Sequence, residues 1–321
     1  MLALVLTLFA HTGSAAFALP APLVHPARAA DGHWTTAKPL PEPLLEMGGT
    51  VLDGKIYIAG GIDGHGKPTA HAYRYDPATD SWERLPDLPA PRHHMPLAAA
   101  GGMVYALGGL SGTDFRSERT VWAFSPGRGT WAPRADLPRP RGASAAAVVN
   151  GKIVVVGGLQ RIADGGLVDV TNVYDPGTDS WHPGLPILTK RDHLAATTVK
   201  SIIYVFGGRL LSADHNYDYM ETYEQQHDIW TKAEQMPSPR AAFGAAELDN
   251  KIHLLGGEDR TEVFAAHDVF DPAKRVWSTD APLPTPRHGC AVLALDGKIY
   301  VIGGGVRPGF SESDVVEVFT P

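Results

Sequence analysis

Two adjacent glycines recur six times along this chain, at Gly60-Gly61, Gly108-Gly109, Gly157-Gly158, Gly207-Gly208, Gly256-Gly257 and Gly303-Gly304. The intervals are 48, 49, 50, 49 and 47 residues. A tryptophan stands 26 residues before every pair: Trp34, Trp82, Trp131, Trp181, Trp230 and Trp277. Tyr75, Phe124, Tyr174, Tyr223 and Phe270 each stand 7 residues before a tryptophan, and a sixth aromatic, Phe319, lies near the end of the sequence. Such a period marks one structural unit repeated, each copy burying its apolar faces against its neighbours.

Within a unit the segments read as strands. The stretch NGKIVVVGG, residues 150 to 158, places a turn dipeptide before the uncharged, β-branched run Ile153 to Val156. SAAAVV precedes that turn, and VTNVYDP and a short segment at Trp181 follow it. Asp53-Gly54, Gly101-Gly102, Asn150-Gly151 and Asp296-Gly297 supply the positive φ that a two-residue type I′ hairpin needs. Four antiparallel strands repeated six times predict an all-β, six-bladed β-propeller.

The double glycine after an apolar strand, with an aromatic and a tryptophan at fixed spacing, resembles the Kelch-repeat family over residues 33 to 321. In such a ring the glycines let neighbouring backbones approach, and the aromatic and tryptophan fill the wider gap between blades. Trp34 precedes the first complete unit and the last unit ends at Phe319 without a tryptophan strand. Residues 33 to 37 are therefore expected to form the outer strand of the sixth blade and close the ring.

Leu2 to Ala10 is an apolar run with no Lys or Arg before it. Small-x-small sites follow at Ala16-Phe17-Ala18 and Ala27-Arg28-Ala29. Residues 1 to 30 read as a signal peptide, cleaved after Ala18 or near Ala29, with residues 31 to 321 as one domain, periplasmic or secreted. The run is too short to span a bilayer, so no membrane insertion is expected after cleavage. A net charge of −7 argues against a nucleic-acid binder. The single Cys290 permits no intramolecular disulfide, and a monomer held by its core alone is expected.

Function is expected at the pole where the second-to-third strand loops vary in length. An arginine stands 16 residues before five glycine pairs: Arg92, Arg141, Arg191, Arg240 and Arg287; the sixth position is Leu44. Two residues beyond come Glu46, His94, Ala143, His193, Ala242 and Gly289. The arginines could ring the channel mouth as an anion site. They could equally be inherited Kelch architecture, paired with loop carboxylates such as Asp63, Asp114, Asp164, Asp214 or Asp259. His94 and His193 are candidates on the same footing. Tyr217 and Tyr219, with His215, offer groups for a sugar or peptide.

Metal and nucleophile motifs (HExxH, CxxC, GxSxG) and the phosphate-binding GxxxxGK[ST] are absent, so no cofactor or metal is expected. Galactose oxidase resembles the chain in blade pattern only. Two functions remain. One is a binding module for a protein or carbohydrate ligand at the loop pole. The other is a mutarotase acting on an acidic sugar, since an exported six-bladed Kelch protein resembles the bacterial sialic acid mutarotase; Glu46 would then move the proton and the arginines would hold the carboxylate.

Overall fold

The computed structural model describes residues 32–160 and 166–321. The expected leader and Asp164 lie outside the described residues. These form six four-stranded antiparallel sheets and three short two-stranded ones, without a helix. In the third sheet the strands are Ala145–Val149, Lys152–Val156, Thr171–Asp175 and Ser180–Gly184, each paired with the next. The six innermost strands touch one another in a closed ring, the sixth against the first. This is the six-bladed propeller the repeat predicts.

The chain closes where expected. His33–Thr36 pairs antiparallel with Val316–Thr320, Trp34 opposite Phe319, and completes the sixth sheet. The same cross-strand pairing recurs in the other blades: Tyr75 with Trp82, Phe124 with Trp131, Tyr174 with Trp181, Tyr223 with Trp230, Phe270 with Trp277. The inner member of each pair is fully buried, and the core divides into six apolar clusters, each lying between two adjacent blades. Five of the six repeat tryptophans, all but Trp277, also reach across. Trp82 Nε1 donates to Lys38 O at 2.9 Å, Trp131 to Pro86 O at 2.9 Å and Trp34 to Ala281 O at 3.0 Å. A residue that fills an interblade gap and hydrogen-bonds over it explains the fixed spacing.

The glycines answer two demands at once. Gly157 and Gly158 have φ of 61° and 97°, which side-chain-bearing residues rarely adopt. A Cβ on Gly157 would stand 2.8 Å from Arg191 O in the next blade. With none there, Gly158 N–H donates to that oxygen at 2.9 Å. The bond repeats at Gly61 to Arg92, Gly109 to Arg141, Gly208 to Arg240, Gly257 to Arg287 and Gly304 to Leu44, between 2.8 and 3.0 Å. The arginine position is therefore a backbone clasp between consecutive blades.

Its side chain turns into the blade, which corrects the expectation of an arginine-lined mouth. Arg141, Arg191, Arg240 and Arg287 are completely buried, and Arg92 nearly so. Arg240 meets Asp268 at 2.5 Å, Arg287 meets Glu317 at 2.7 Å and Arg191 meets Glu221 at 3.0 Å. Arg141 donates to Asn172 and, at 2.8 Å, to Val170 O. Arg92 lies 3.6 Å from Glu118 and over the Trp122 ring. Four of these partners, from Asn172 to Glu317, occupy the second position of the third strand of the arginine's own blade. Of the loop carboxylates, Asp63 caps its own turn at His65 and Lys67 and Asp259 caps Thr261 and Glu262, while Asp214 meets Arg260 at 3.1 Å.

Buried and paired, these arginines govern stability. Arg240→Ala strands Asp268 without its cation and should cost about 3–5 kcal/mol, the scale for breaking a buried pair. The double substitution Arg240→Met with Asp268→Leu should recover much of that loss. Chemical denaturation of the three variants measures it. Equal stability of Arg240→Ala and the parent would mean the pair is not what holds this blade.

Candidate functional site at the loop pole

Two residues past each clasp the backbone turns left-handed. Glu46, His94, Ala143, His193, Ala242 and Gly289 all have φ between 50° and 55°. The turn points each N–H at the carbonyl of its counterpart in the preceding blade. His94 donates to Glu46 O, Ala143 to His94 O, His193 to Ala143 O, Ala242 to His193 O, Gly289 to Ala242 O and Glu46 to Gly289 O, at 2.7 to 3.0 Å. Six backbone hydrogen bonds thus form a closed circle around the propeller axis.

Glu46, His94 and His193 line two cavities at once. On one side is the central channel, a cavity of about 510 Å³ walled by the six innermost strands. On the other is a vestibule of about 420 Å³ among the loops, where Phe115, Arg209, Glu258, His288 and Phe310 also lie. The circle is therefore the neck between them. At that neck His94 Nε2 stands 3.7 Å from Glu46 Oε1, and the two histidine rings meet edge to face with centroids 4.9 Å apart. The alanines and Gly289 leave the remaining space open. A Cβ on Gly289 would fall 2.7 Å from Glu46 Oε1.

A polar network holds these groups in place. His193 Nδ1 bonds the buried Asp192 carboxylate. Arg209 donates to His193 Nε2 at 3.0 Å, to Asp192 at 3.2 Å and to Glu258 at 3.0 Å. On the other side His93 Nδ1 lies 2.6 Å from His94 Nδ1, and His93 Nε2 lies 3.2 Å from Gly112 O. Burial pushes His93 down to about 4, and burial with the neighbouring histidines pushes His94 well below its ordinary value. Both imidazoles are neutral at pH 7. Burial would raise Asp192, but the His193 hydrogen bond and the charge of Arg209 outweigh it and keep the carboxyl below its ordinary value.

Of the residues singled out from sequence, Glu46, His94 and His193 come together, whereas the five arginines lie elsewhere. Tyr217 and Tyr219 stack on each other with centroids 4.8 Å apart, away from the vestibule lining. Arg209, Glu258, Asp192, His93 and His288 escaped notice. They occupy two repeat positions that carry a signal in register: the residue after each glycine pair, and the residue after each arginine. Antiparallel bridges join those two positions in each blade, His93 with Leu110, Asp192 with Arg209, Ala241 with Glu258. Phe115 and Phe310 sit in the variable loops, which no repeat position marks.

Comparison with known proteins agrees with this architecture. The chain is 28% identical over 222 residues to Kelch-like protein 35 of Mus musculus, covering 69% of this chain and 28% of that protein. It is 36% identical over 102 residues to Kelch-like protein terF of Aspergillus terreus, covering 29% of this chain and 22% of that protein. The alignments thus span about a quarter of those relatives' lengths. Among solved structures, YjhT superimposes with a TM-score of 0.74 at 17% identity, over 88% of this chain and 97% of that one, a likeness of fold. The sequence profile of the Attractin/LZTR1 β-propeller family matches residues 56–316. With the repeat, the closed ring and this match in hand, the chain belongs to that family of Kelch-repeat β-propellers.

Proposed function

We propose that the protein is an exported binding module that takes a glycan or a protein ligand at its loop pole. The observation that carries this reading is the vestibule, lined by the polar Arg209, Glu258 and His193 together with the aromatic Phe115 and Phe310. One apolar wall with a few fixed polar groups is the usual form of a small-ligand site. Phe115 has a φ of 54° and packs edge-on against His93 at 4.9 Å, so its position over the cavity is held at some backbone cost. Phe310 is 65% exposed, an apolar surface that a ligand would cover.

A second reading is mutarotation of an acidic sugar. What favours it is the Glu46 carboxylate beside the neutral His94 imidazole, close to the Arg209 cation. Opening a hemiacetal ring needs a proton taken from one oxygen and one given to another, and such a pair can do both.

The apolar run and its small-x-small sites support export. Intact-mass spectrometry of the protein from its native source should give a chain beginning after Ala18 or near Ala29. A full-length chain in the cytoplasmic fraction would contradict it.

NMR titration with sialic acid, a neutral oligosaccharide and a peptide mixture tests the pole. Amide signals of the vestibule loops should shift with at least one, and Phe310→Ala should weaken that binding by about 1 kcal/mol without loss of folding. Sugar anomers exchanging faster with protein present would select mutarotation; an unchanged exchange rate leaves binding alone. No shift with any of the three would refute the loop-pole reading.

A further inference from the structure

The neck holds an arrangement of lone pairs that the binding reading leaves unexplained. Gly112 O can only accept, so the proton of His93 sits on Nε2 and its Nδ1 accepts in turn. The proton between the two histidines then belongs to His94 Nδ1, which leaves His94 Nε2 with a bare lone pair facing Glu46 Oε1. Asp192 likewise draws the proton of His193 onto Nδ1, leaving a lone pair on its Nε2. Among the described residues no hydrogen bond reaches His94 Nε2 or either oxygen of Glu46. Two imidazole lone pairs and a carboxylate converge, and the one donor among them is Arg209, on His193.

Charge points the same way. Asp192 and Glu258 share the single Arg209 guanidinium, and Glu46 adds a third carboxylate, so three negative groups face one positive group. All of them line or adjoin the neck, and their side chains are no more than 17% exposed. A cation on the axis would relieve both the converging lone pairs and the excess charge.

We propose that Glu46, His94 and His193 bind a divalent transition-metal ion, of the class that zinc and cobalt represent, at the centre of the backbone circle. One ligand atom from each lies within 4.8 Å of the other two. Ligands about 2.0–2.2 Å from one ion stand roughly 3–3.5 Å apart, so modest side-chain rotation closes the site. Two histidines and a carboxylate suit such an ion, and they leave coordination positions open toward the vestibule. Asp192 on His193 and His93 on His94 orient the two imidazoles from behind, as outer partners of metal-bound histidines do. The ion exchanges with the Arg209 bond on His193 Nε2, and Arg209 stays tied to Asp192 and Glu258. Ala143, Ala242 and Gly289, the other members of the circle, carry nothing large enough to obstruct it. The three ligands come from three different blades, which is why no linear motif announces them.

Metal-stripped protein without an affinity tag, titrated with Co²⁺ followed by visible d–d absorption and with Zn²⁺ by calorimetry, tests the site. One ion should bind per chain. Glu46→Gln and His94→Gln should each weaken binding at least as much as the outer-partner change Asp192→Asn, for which a loss of ~10–100-fold is expected. Absence of d–d absorption and of zinc heat, as when a proton alone occupies the neck, would overturn the proposal; so would variants that bind like the parent. Should the variants fail to fold, anomalous scattering from zinc-soaked crystals of the unaltered protein decides. Density on the axis between the three residues is expected, and its absence overturns the assignment.

Discussion

Six backbone hydrogen bonds circling the axis are the constraint on which the rest of this propeller depends. Each forces its residue into the left-handed region, and five of the six residues are not glycine. That conformation costs such residues on the order of 1–3 kcal/mol each, against about 1 kcal/mol of net gain from one hydrogen bond. The circle persists because the adjoining residues leave no alternative. Two positions earlier the backbone is clasped by the preceding blade's glycine pair, and one position earlier it bridges within its own blade. Three consecutive residues therefore face three different partners.

That division explains how structure and function separate at this pole. The first residue sends its side chain into the blade, where arginine pairs with a third-strand carboxylate or amide in four of the five cases. The second and third send theirs toward the neck and vestibule, where four blades contribute His93, His94, Asp192, His193, Glu46 and His288. Blade-to-blade identity is thus kept in five of six blades at the first position, with Leu44 the exception, and relaxed at the other two. The chain uses that freedom to gather a polar cluster at the axis while Ala143 and Ala242 keep it from crowding.

The fold was legible in the sequence because its causes are local and repeated. A glycine pair, a tryptophan and an aromatic each answer a steric demand that recurs in every blade, so the period exposes them, and the Trp34–Phe319 pairing follows from counting. The site was legible in part. Glu46, His94 and His193 stood out as members of one repeat position. Whether the arginines join them is open in the sequence, since residues two apart share a face only while a strand stays extended. The left-handed residue breaks that alternation, and it is invisible in sequence because His, Ala and Glu give no sign of positive φ. Arg209 and Glu258 are less legible for another reason: their role depends on side-chain bonds to one another, to Asp192 and to His193, which join two blades and leave no trace in the spacing of either.

Amide hydrogen exchange of the folded protein tests the backbone circle most directly. The N–H groups of Glu46, His94, Ala143, His193, Ala242 and Gly289 lie outside the blade strands, in connecting segments that would ordinarily exchange fast. If the circle closes the propeller, they open only when the whole ring opens, and their protection should match that of the buried second-strand amides of Ile153 to Val156. Exchange as rapid as that of the hairpin turn at Asp53-Gly54 would show that the pole opens independently of the blades and would contradict the account.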